Sequence, residues 1–279
     1  MRDRMKKERG ITMNLNEKKY SSKDKKKMGM FLFYSFFIAW GTEIVLIFLY
    51  KTGLIMGNLM LLLHFGIIGF GCGLAPAYAA FIVASKYDGI TVKTFVGKVF
   101  KTSDPSRSAA VLVLFAFIQF CACTLQEKYT GNPWYFFILF IPLMIFGGGL
   151  EEIGWQGVFQ PLLQKKFPFL IAALIEGVVW SIWHLPLWLV PDTAQSSYDF
   201  IAFTLFCITL GVTLAAAHKI TESIWVSVLL HAWSNTVQGG MYSLTTLCVF
   251  PVWKTLMISL LQISVISGVL YLYEKRHPF

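Results

Sequence analysis

Long runs of apolar residues, separated by short polar or charged stretches, make up most of this 279-residue chain. Uninterrupted runs of about 20 apolar residues are typical of helices that cross a lipid bilayer. The pattern therefore predicts an all-α fold, a polytopic integral membrane helical bundle with about eight transmembrane helices. The predicted spans are residues 29–50, 57–85, 109–127, 134–164, 168–190, 199–218, 222–240 and 248–273.

Two of these runs, 57–85 and 134–164, are longer than a bilayer requires. Glycine and proline predict helix breaks that would absorb the excess, at Gly73–Pro76 and at Gly147–Gly149. Tilting of the helices would absorb it equally well. The run 57–85 has a second interpretation, as two short passes.

The chain has a net charge of +9, and its basic residues lie at the ends of the apolar runs. The placement of these residues predicts the topology and the partner of the charge. If the N-terminus is cytoplasmic, every Lys and Arg except Lys51, Lys128 and Lys254 falls on the inner side. This asymmetry predicts a multi-pass protein of the cell (plasma) membrane with both termini in the cytoplasm. The predicted partner of the basic residues is anionic membrane lipid, and no nucleic-acid partner is expected.

The chain divides into four predicted segments. A basic cytoplasmic arm, 1–28, precedes the N-terminal membrane helices of 29–127, whose inner loop 86–107 contains a short basic amphipathic helix. Residues 134–240 carry most of the polar groups that lie inside apolar runs, and residues 248–279 form the last helix with its basic tail. The five cysteines show no metal-ligand spacing, so buried free thiols are expected.

Two adjacent glutamates, Glu151 and Glu152, lie in the middle of the fourth predicted span. One charged side chain at the bilayer centre costs about 2.5–3.5 kcal/mol on insertion scales, so both glutamates need partners inside the bundle. His184 in the fifth span, and His231 with Asn235 in the seventh, are the candidate partners. A spacing of four residues places three pairs on shared helix faces, namely Glu152 with Gln156, Trp180 with His184, and His231 with Asn235.

Two carboxylates and two imidazoles suit two schemes of acyl-bond hydrolysis, most simply of a peptide bond. In the first scheme, Glu151 activates a water as general base and His184 shares or relays the proton. His231 and Asn235 then donate hydrogen bonds to the developing oxyanion, and no cofactor is needed. In the second scheme, a bound Zn²⁺ activates the water. Its candidate ligands would be Glu151, Glu152, His184 and His231, although the chain has no HExxH motif.

Two interpretations without hydrolysis stay open. Buried Glu and His side chains also serve as hydrogen-bond partners between membrane helices. Alternatively, Glu151, Glu152 and Glu176 would suit the proton relay of a proton-coupled transporter. The sequence shows no inverted repeat or paired broken helices, which counts against the transporter.

The polar motifs resemble those of the CPBP family of intramembrane proteases, which includes type II CAAX prenyl proteases, bacteriocin-processing proteins and Abi proteins. That family carries EExxxR, FxxxH and HxxxN/D motifs in successive core helices. This chain reads Glu151-Glu152-Ile-Gly-Trp-Gln156, then Trp180-Ser-Ile-Trp-His184, then His231-Ala-Trp-Ser-Asn235. The resemblance implies a four-helix catalytic core at 134–240. The chain departs from the family pattern at Gln156, where Arg is usual, and at Trp180, where Phe is usual.

The resemblance implies roles for the motif residues. Glu151 would be the catalytic carboxylate with His184 as its partner, and Glu152 would support them. His231 and Asn235 would form the oxyanion site. The residues that would support the site or line the substrate are Gln156, Trp180, Trp155 and Glu176.

The substrate implied by the resemblance is a peptide or protein at the membrane, either CAAX-like or a bacteriocin or leader peptide. The catalytic type would be that of a glutamate protease or of a metalloprotease. The alternative is a catalytically weak relative that acts as a bacteriocin immunity or regulatory binding protein. The neutral Gln156 favours this alternative, because Gln only hydrogen-bonds where Arg would supply a charge.

Overall fold

Helices form the whole described fold of this computed structural model, which covers residues 20–125, 131–133, 135–190, 193–237 and 251–277. No strand occurs among these residues, so the predicted all-α class is confirmed. The α-helices are α1 (Ser22–Thr52), α2 (Gly57–Gly66), α3 (Ala75–Asp88), α4 (Val92–Val99), α5 (Pro105–Thr124), α6 (Phe136–Phe146), α7 (Glu152–Gly154), α8 (Gln160–Gln164), α9 (Phe169–Trp183), α10 (Phe200–Thr221), α11 (Ile224–Thr236) and α12 (Val252–Arg276).

Seven helical segments of the described chain are long and apolar enough to cross a membrane. They are Ser22–Thr52, Gly57–Asp88, Pro105–Thr124, Ile138–Gln164, Phe169–Leu189, Phe200–Thr221 and Val252–Arg276. They match seven of the predicted spans and confirm the polytopic membrane bundle. The remaining predicted span, 222–240, contains α11, and its last three residues lie outside the described chain. Residues 1–19 of the predicted basic arm lie outside it as well.

The helix geometry changes at or next to both predicted breaks. A π-helix, Ile67–Gly73, joins α2 to α3 within one continuous helical segment, so the run 57–85 is not two passes. The second break follows α6, where a 3-10 turn, Gly149–Glu151, leads into α7 and a second π-helix, Trp155–Phe159. Such π-helical turns inside α-helices are frequent at functional sites. The predicted catalytic glutamates lie at this second break.

Helix α10 lies in the interior of the bundle, where it packs against α9 and α12 and buries most of its residues. Its approach to α9 depends on Gly177, because a Cβ added there would collide with the backbone of Ile208. Close approach through a glycine is a usual packing device of membrane helices. It fixes the position of α9, which carries Glu176 and Trp180.

Charged residues join helix ends at one end of the bundle. Asp24 at the start of α1 pairs with Lys165 at 2.7 Å, and Asp88 at the end of α3 pairs with Lys27 at 2.7 Å. Lys219 near the end of α10 pairs with Glu274 near the end of α12. The structure therefore gathers at one end the basic residues that the sequence placed on one side of the membrane. The cytoplasmic orientation of that end stays a prediction.

The predicted amphipathic helix of the loop 86–107 is confirmed as α4, which begins with a Thr91 side-chain cap. Further along the loop, Arg107 donates to the hydroxyl of Tyr273 on α12 at 2.7 Å. The loop therefore contacts the same end of the bundle as the ion pairs. The division of the chain into four segments stays a prediction.

The Gly177→Ala variant is expected to lower stability by about 1–3 kcal/mol, because an overpacked contact must move α9 away from α10. The measurement is thermal denaturation of the purified protein in detergent. Gly41→Ala is the matched control, since Gly41 lies within α1 with no atom near its added Cβ. The control is expected to leave stability unchanged or slightly raised. Equal denaturation temperatures for Gly177→Ala and wild type would contradict this account of the packing.

Candidate active site

The two adjacent glutamates are both buried, with exposed fractions of 5% for Glu151 and 1% for Glu152. Glu151 ends the 3-10 turn and Glu152 begins α7, so the change of backbone geometry falls between them. Their side chains find different partners. The indole nitrogen Nε1 of Trp180 donates to Glu151 Oε2 at 2.8 Å. Trp180 therefore supplies one of the hydrogen bonds that a carboxylate needs inside a membrane.

Glu152 is bound to a histidine of the seventh predicted span. Its Oε1 lies 2.8 Å from His231 Nδ1, and both side chains are buried. A carboxylate that accepts from one ring nitrogen fixes the orientation of the imidazole. Glu152 therefore directs His231 Nε2, the other ring nitrogen, away from itself.

His184 is buried at the C-terminal end of α9. Its Nδ1 donates to the backbone carbonyl of Trp180 at 2.9 Å, because a carbonyl oxygen only accepts. In a neutral imidazole this leaves Nε2 as the acceptor. Edge-to-face contacts with Trp183 and Phe203 enclose the ring, at centroid distances of 4.7 and 5.2 Å.

Trp180 links the three parts of the site. Its indole nitrogen holds Glu151, its carbonyl holds His184, and its ring lies 5.2 Å from the ring of His231. The sequence predicted a supporting or substrate-lining role for Trp180 and did not predict its hydrogen bond to Glu151. Phe, which is usual in related proteins at this position, would keep the ring and the carbonyl but would lack the N–H donor.

His231 and Asn235 direct nitrogen atoms at the same glycine. A Cβ added at Gly148 would lie 2.9 Å from His231 Nε2 and 2.6 Å from Asn235 Nδ2. Gly148 has φ +147°, which residues with a side chain rarely adopt. The half-buried Asn235 also donates to the carbonyl of Gly147 at 3.3 Å. The two side chains therefore place potential donors next to each other beside the helix break.

Gln156 is bound to Glu176 rather than to either adjacent glutamate. Its Nε2 donates to Glu176 Oε1 at 2.9 Å. Gln160, with its amide oriented to suit its neighbours, donates to Glu176 Oε2 at 2.9 Å. Glu176 is buried, with an exposed fraction of 2%. Two neutral amides thus replace the charge that Arg would bring.

The predicted zinc arrangement does not fit this geometry. Within the part of the chain that the structure describes, no three His, Cys, Asp or Glu side chains are grouped as metal ligands. Trp180 occupies one oxygen of Glu151, and His231 occupies one oxygen of Glu152.

A further buried carboxylate lies on the first membrane helix. Glu43 of α1 has an exposed fraction of 0%. Its Oε1 accepts a hydrogen bond from Cys72 Sγ at 3.0 Å. In the sequence, Glu43 is a single glutamate inside an apolar run. This pattern does not show which helix its side chain faces.

The fold and the site define a helical membrane protein with a buried centre of glutamate and histidine side chains. Residues 132–237 match the sequence profile described as type II CAAX prenyl endopeptidase Rce1-like. Over 150 residues the chain is 25% identical to a protein named CAAX prenyl protease 2 from Methanococcus maripaludis. That match spans about half of each protein, 50% of this chain and 52% of the relative. Both matches support membership of the CPBP family, and the resemblance predicted from the motifs is confirmed.

Glu176→Leu is expected to destabilise the protein by about 1–3 kcal/mol for each donor it leaves unpaired, since Gln156 and Gln160 both donate to Glu176. Glu176→Gln is the matched variant. It should stay closer to wild type, because the neighbouring amides can turn to offer an oxygen. The measurement is thermal denaturation of both variants in detergent. A leucine variant as stable as the glutamine variant would contradict the assigned hydrogen bonds.

Proposed function

We propose that this protein is an intramembrane endopeptidase that hydrolyses a peptide bond of a membrane-associated substrate through a water activated by Glu151. The observation that carries the proposal is the orientation of the buried glutamates. Trp180 holds Glu151, and His231 holds Glu152, within the region that matches the family profile. Burying ionisable side chains in a membrane costs free energy, so a group of them usually indicates a functional site.

In the proposed reaction, Glu151 acts first as a base and then as an acid. It takes one proton from the water while the water oxygen bonds to the scissile carbonyl carbon. When the carbon–nitrogen bond breaks, that proton passes to the leaving amine. His184 contributes Nε2, the ring nitrogen not bound to Trp180, as a second group able to exchange a proton.

The proposed oxyanion site consists of His231 and Asn235. Their nitrogens face the same point beside Gly148, as donors to one developing oxyanion must. In this role His231 donates through Nε2 while Nδ1 donates to Glu152, so Glu152 stabilises the protonated imidazole. Glu152 is therefore proposed as a positioning residue.

The proposed substrate is a prenylated CAAX-type peptide. The family profile and the Methanococcus maripaludis relative support this class. An open apolar groove of about 520 Å³ lies on the helix that carries His231 and would accept an isoprenoid chain. The groove is lined by residues of α5, α6 and α11, among them Leu112, Phe117, Ile141, Leu229 and Trp233.

A regulatory or immunity protein that binds a membrane peptide without cleaving it is the second candidate. The observation that favours it is Gln156, which meets Glu176 through an amide where related proteins use a charged group. The binding role predicts that a Glu151→Gln substitution leaves the biological activity intact. The catalytic role predicts the loss described next.

Glu151→Gln is expected to lower kcat by about 10²–10⁴-fold, because an amide cannot accept the proton of the water. The measurement is cleavage of a fluorogenic farnesylated CAAX peptide by the protein in proteoliposomes. Glu222→Gln, a change at an exposed glutamate after α10, is the matched control and should keep wild-type kinetics. Wild-type turnover by the Glu151→Gln variant would reject Glu151 as the general base.

Glu152→Gln is expected to reduce kcat by about 10–100-fold while KM changes little, because an outer partner orients a reacting group without binding substrate. The same peptide assay measures both constants. A rise in KM at unchanged kcat would place Glu152 in substrate binding instead.

A further inference from the structure

A cavity separate from the apolar groove lies at the end of the bundle that carries the ion pairs. Its volume is about 220 Å³, and residues of α1, α3, α4, α11 and the segment 153–165 line it. None of the predicted catalytic residues belongs to this lining. The cavity is therefore a feature that the candidate active site does not explain.

Lysine side chains give the lining an excess of positive charge. Lys27 on α1 donates to both oxygens of Asp88 at 2.7 Å, so the acidic side chain of the lining is neutralised. Lys165 donates to Asp24 at 2.7 Å, and its ammonium group keeps two further N–H donors. Together with Lys98, and with Lys23 beside Asp88, the lining and its ion-pair partners hold four lysines against two aspartates.

Lys98 on α4 is the lysine of the lining that no carboxylate neutralises. It has no ion-pair partner among the described residues, and its side chain is exposed. Phe95 and Val99 of the same helix also line the cavity. The amphipathic helix α4 therefore presents a free cation and apolar side chains to the same space.

The remaining walls of the cavity are mostly apolar. They extend along the segment 153–165, from Lys165 at the charged end of the bundle to Ile153, the residue after Glu152. Val158 and Leu162 lie between these two ends, and Val83 of α3 contributes to the lining as well. The cavity thus combines cations at the helix ends with an apolar interior.

An anionic phospholipid has the two matching features, a negatively charged phosphate and apolar acyl chains. Basic pockets between membrane helices on the cytoplasmic side bind the head groups of anionic lipids. The sequence predicted anionic lipid as a partner of the basic residues in general, and this end of the bundle is the one predicted to face the cytoplasm. The cavity provides one defined place for such a lipid.

We propose that this cavity binds one anionic phospholipid. Its phosphate contacts the ammonium groups of Lys98 and Lys165, and one acyl chain lies against Val158 and Leu162. The bound lipid joins α4 to the helical segment that carries the predicted catalytic glutamates. The proposal is independent of the proposed function, because lipid binding requires no peptide cleavage.

The first test is thermal denaturation of the purified protein in detergent with three probes. Dioleoyl phosphatidylglycerol at saturating concentration is expected to raise the denaturation temperature by about 5 °C, because a ligand of the folded state stabilises it. Dioleoyl phosphatidylcholine, with the same chains but no net charge, and the soluble glycerophosphate should each give a much smaller shift. An equal shift with phosphatidylcholine overturns the proposal, since the charge is then not recognised. An equal shift with glycerophosphate also overturns it, since the site then binds soluble phosphate without the chains.

The second test compares two lysines of α4. Lys98→Gln should lose at least half of the shift caused by phosphatidylglycerol, because it removes the unpaired cation of the lining. Lys93→Gln is the matched control, since Lys93 is an exposed lysine of the same helix that does not line the cavity. A full shift in Lys98→Gln overturns the proposal. An equal loss in Lys93→Gln overturns it too, because the lipid then responds to the general surface charge.

The third test fills the apolar part of the cavity and keeps every lysine. Ala84 of α3 belongs to the lining, so the side chain of Ala84→Phe would occupy the space of the acyl chain. This variant should show no shift with phosphatidylglycerol, and a full shift overturns the proposed position of the chain. Lys98→Gln changes an exposed side chain, so the comparison with Lys93→Gln stays decisive if phenylalanine destabilises the fold.

Discussion

Inside a membrane, an ionisable side chain must find its partners within the bundle, because no bulk water is present to solvate it. Glu151 and Glu152 are adjacent in sequence, yet they satisfy this requirement with different helices. Trp180 of α9 holds one carboxylate and His231 of α11 holds the other. These two contacts join both helices to the break at Gly147–Glu151, and the chemistry of the site depends on them.

The irregular backbone is what permits the arrangement. A regular helix would place two consecutive side chains about 100° apart on one cylinder, whereas the 3-10 turn and the π-helix change that angle on either side of α7. Gly148 lets His231 and Asn235 come close to the backbone beside the glutamates. Gly177 brings α9 against α10 and so fixes Trp180. These two glycines thus position the polar side chains of the candidate active site.

The sequence was sufficient for the features that depend on local composition. Apolar run length predicted the spans, Gly and Pro predicted where the helix geometry changes, and four-residue spacing predicted that His231 and Asn235 share a helix face. The sequence did not predict which side chains form hydrogen bonds between helices, because these contacts depend on how each helix is rotated about its axis. Nothing local to Gln156 shows that it binds Glu176 instead of Glu152, or that Trp180 donates to Glu151. Glu43 is a further example, since its hydrogen-bond partner Cys72 lies 29 residues away in the chain.

The central claim, that Glu151 drives peptide-bond hydrolysis in the membrane, is tested most directly without assuming a substrate. Peptide termini can be profiled in membranes that contain equal amounts of the wild-type protein or of the Glu151→Gln variant. The account predicts a set of new termini that appears only with the wild-type protein and identifies the cleaved substrate. Identical sets of termini, from a folded protein that still produces its biological effect, would contradict the account and favour a binding role.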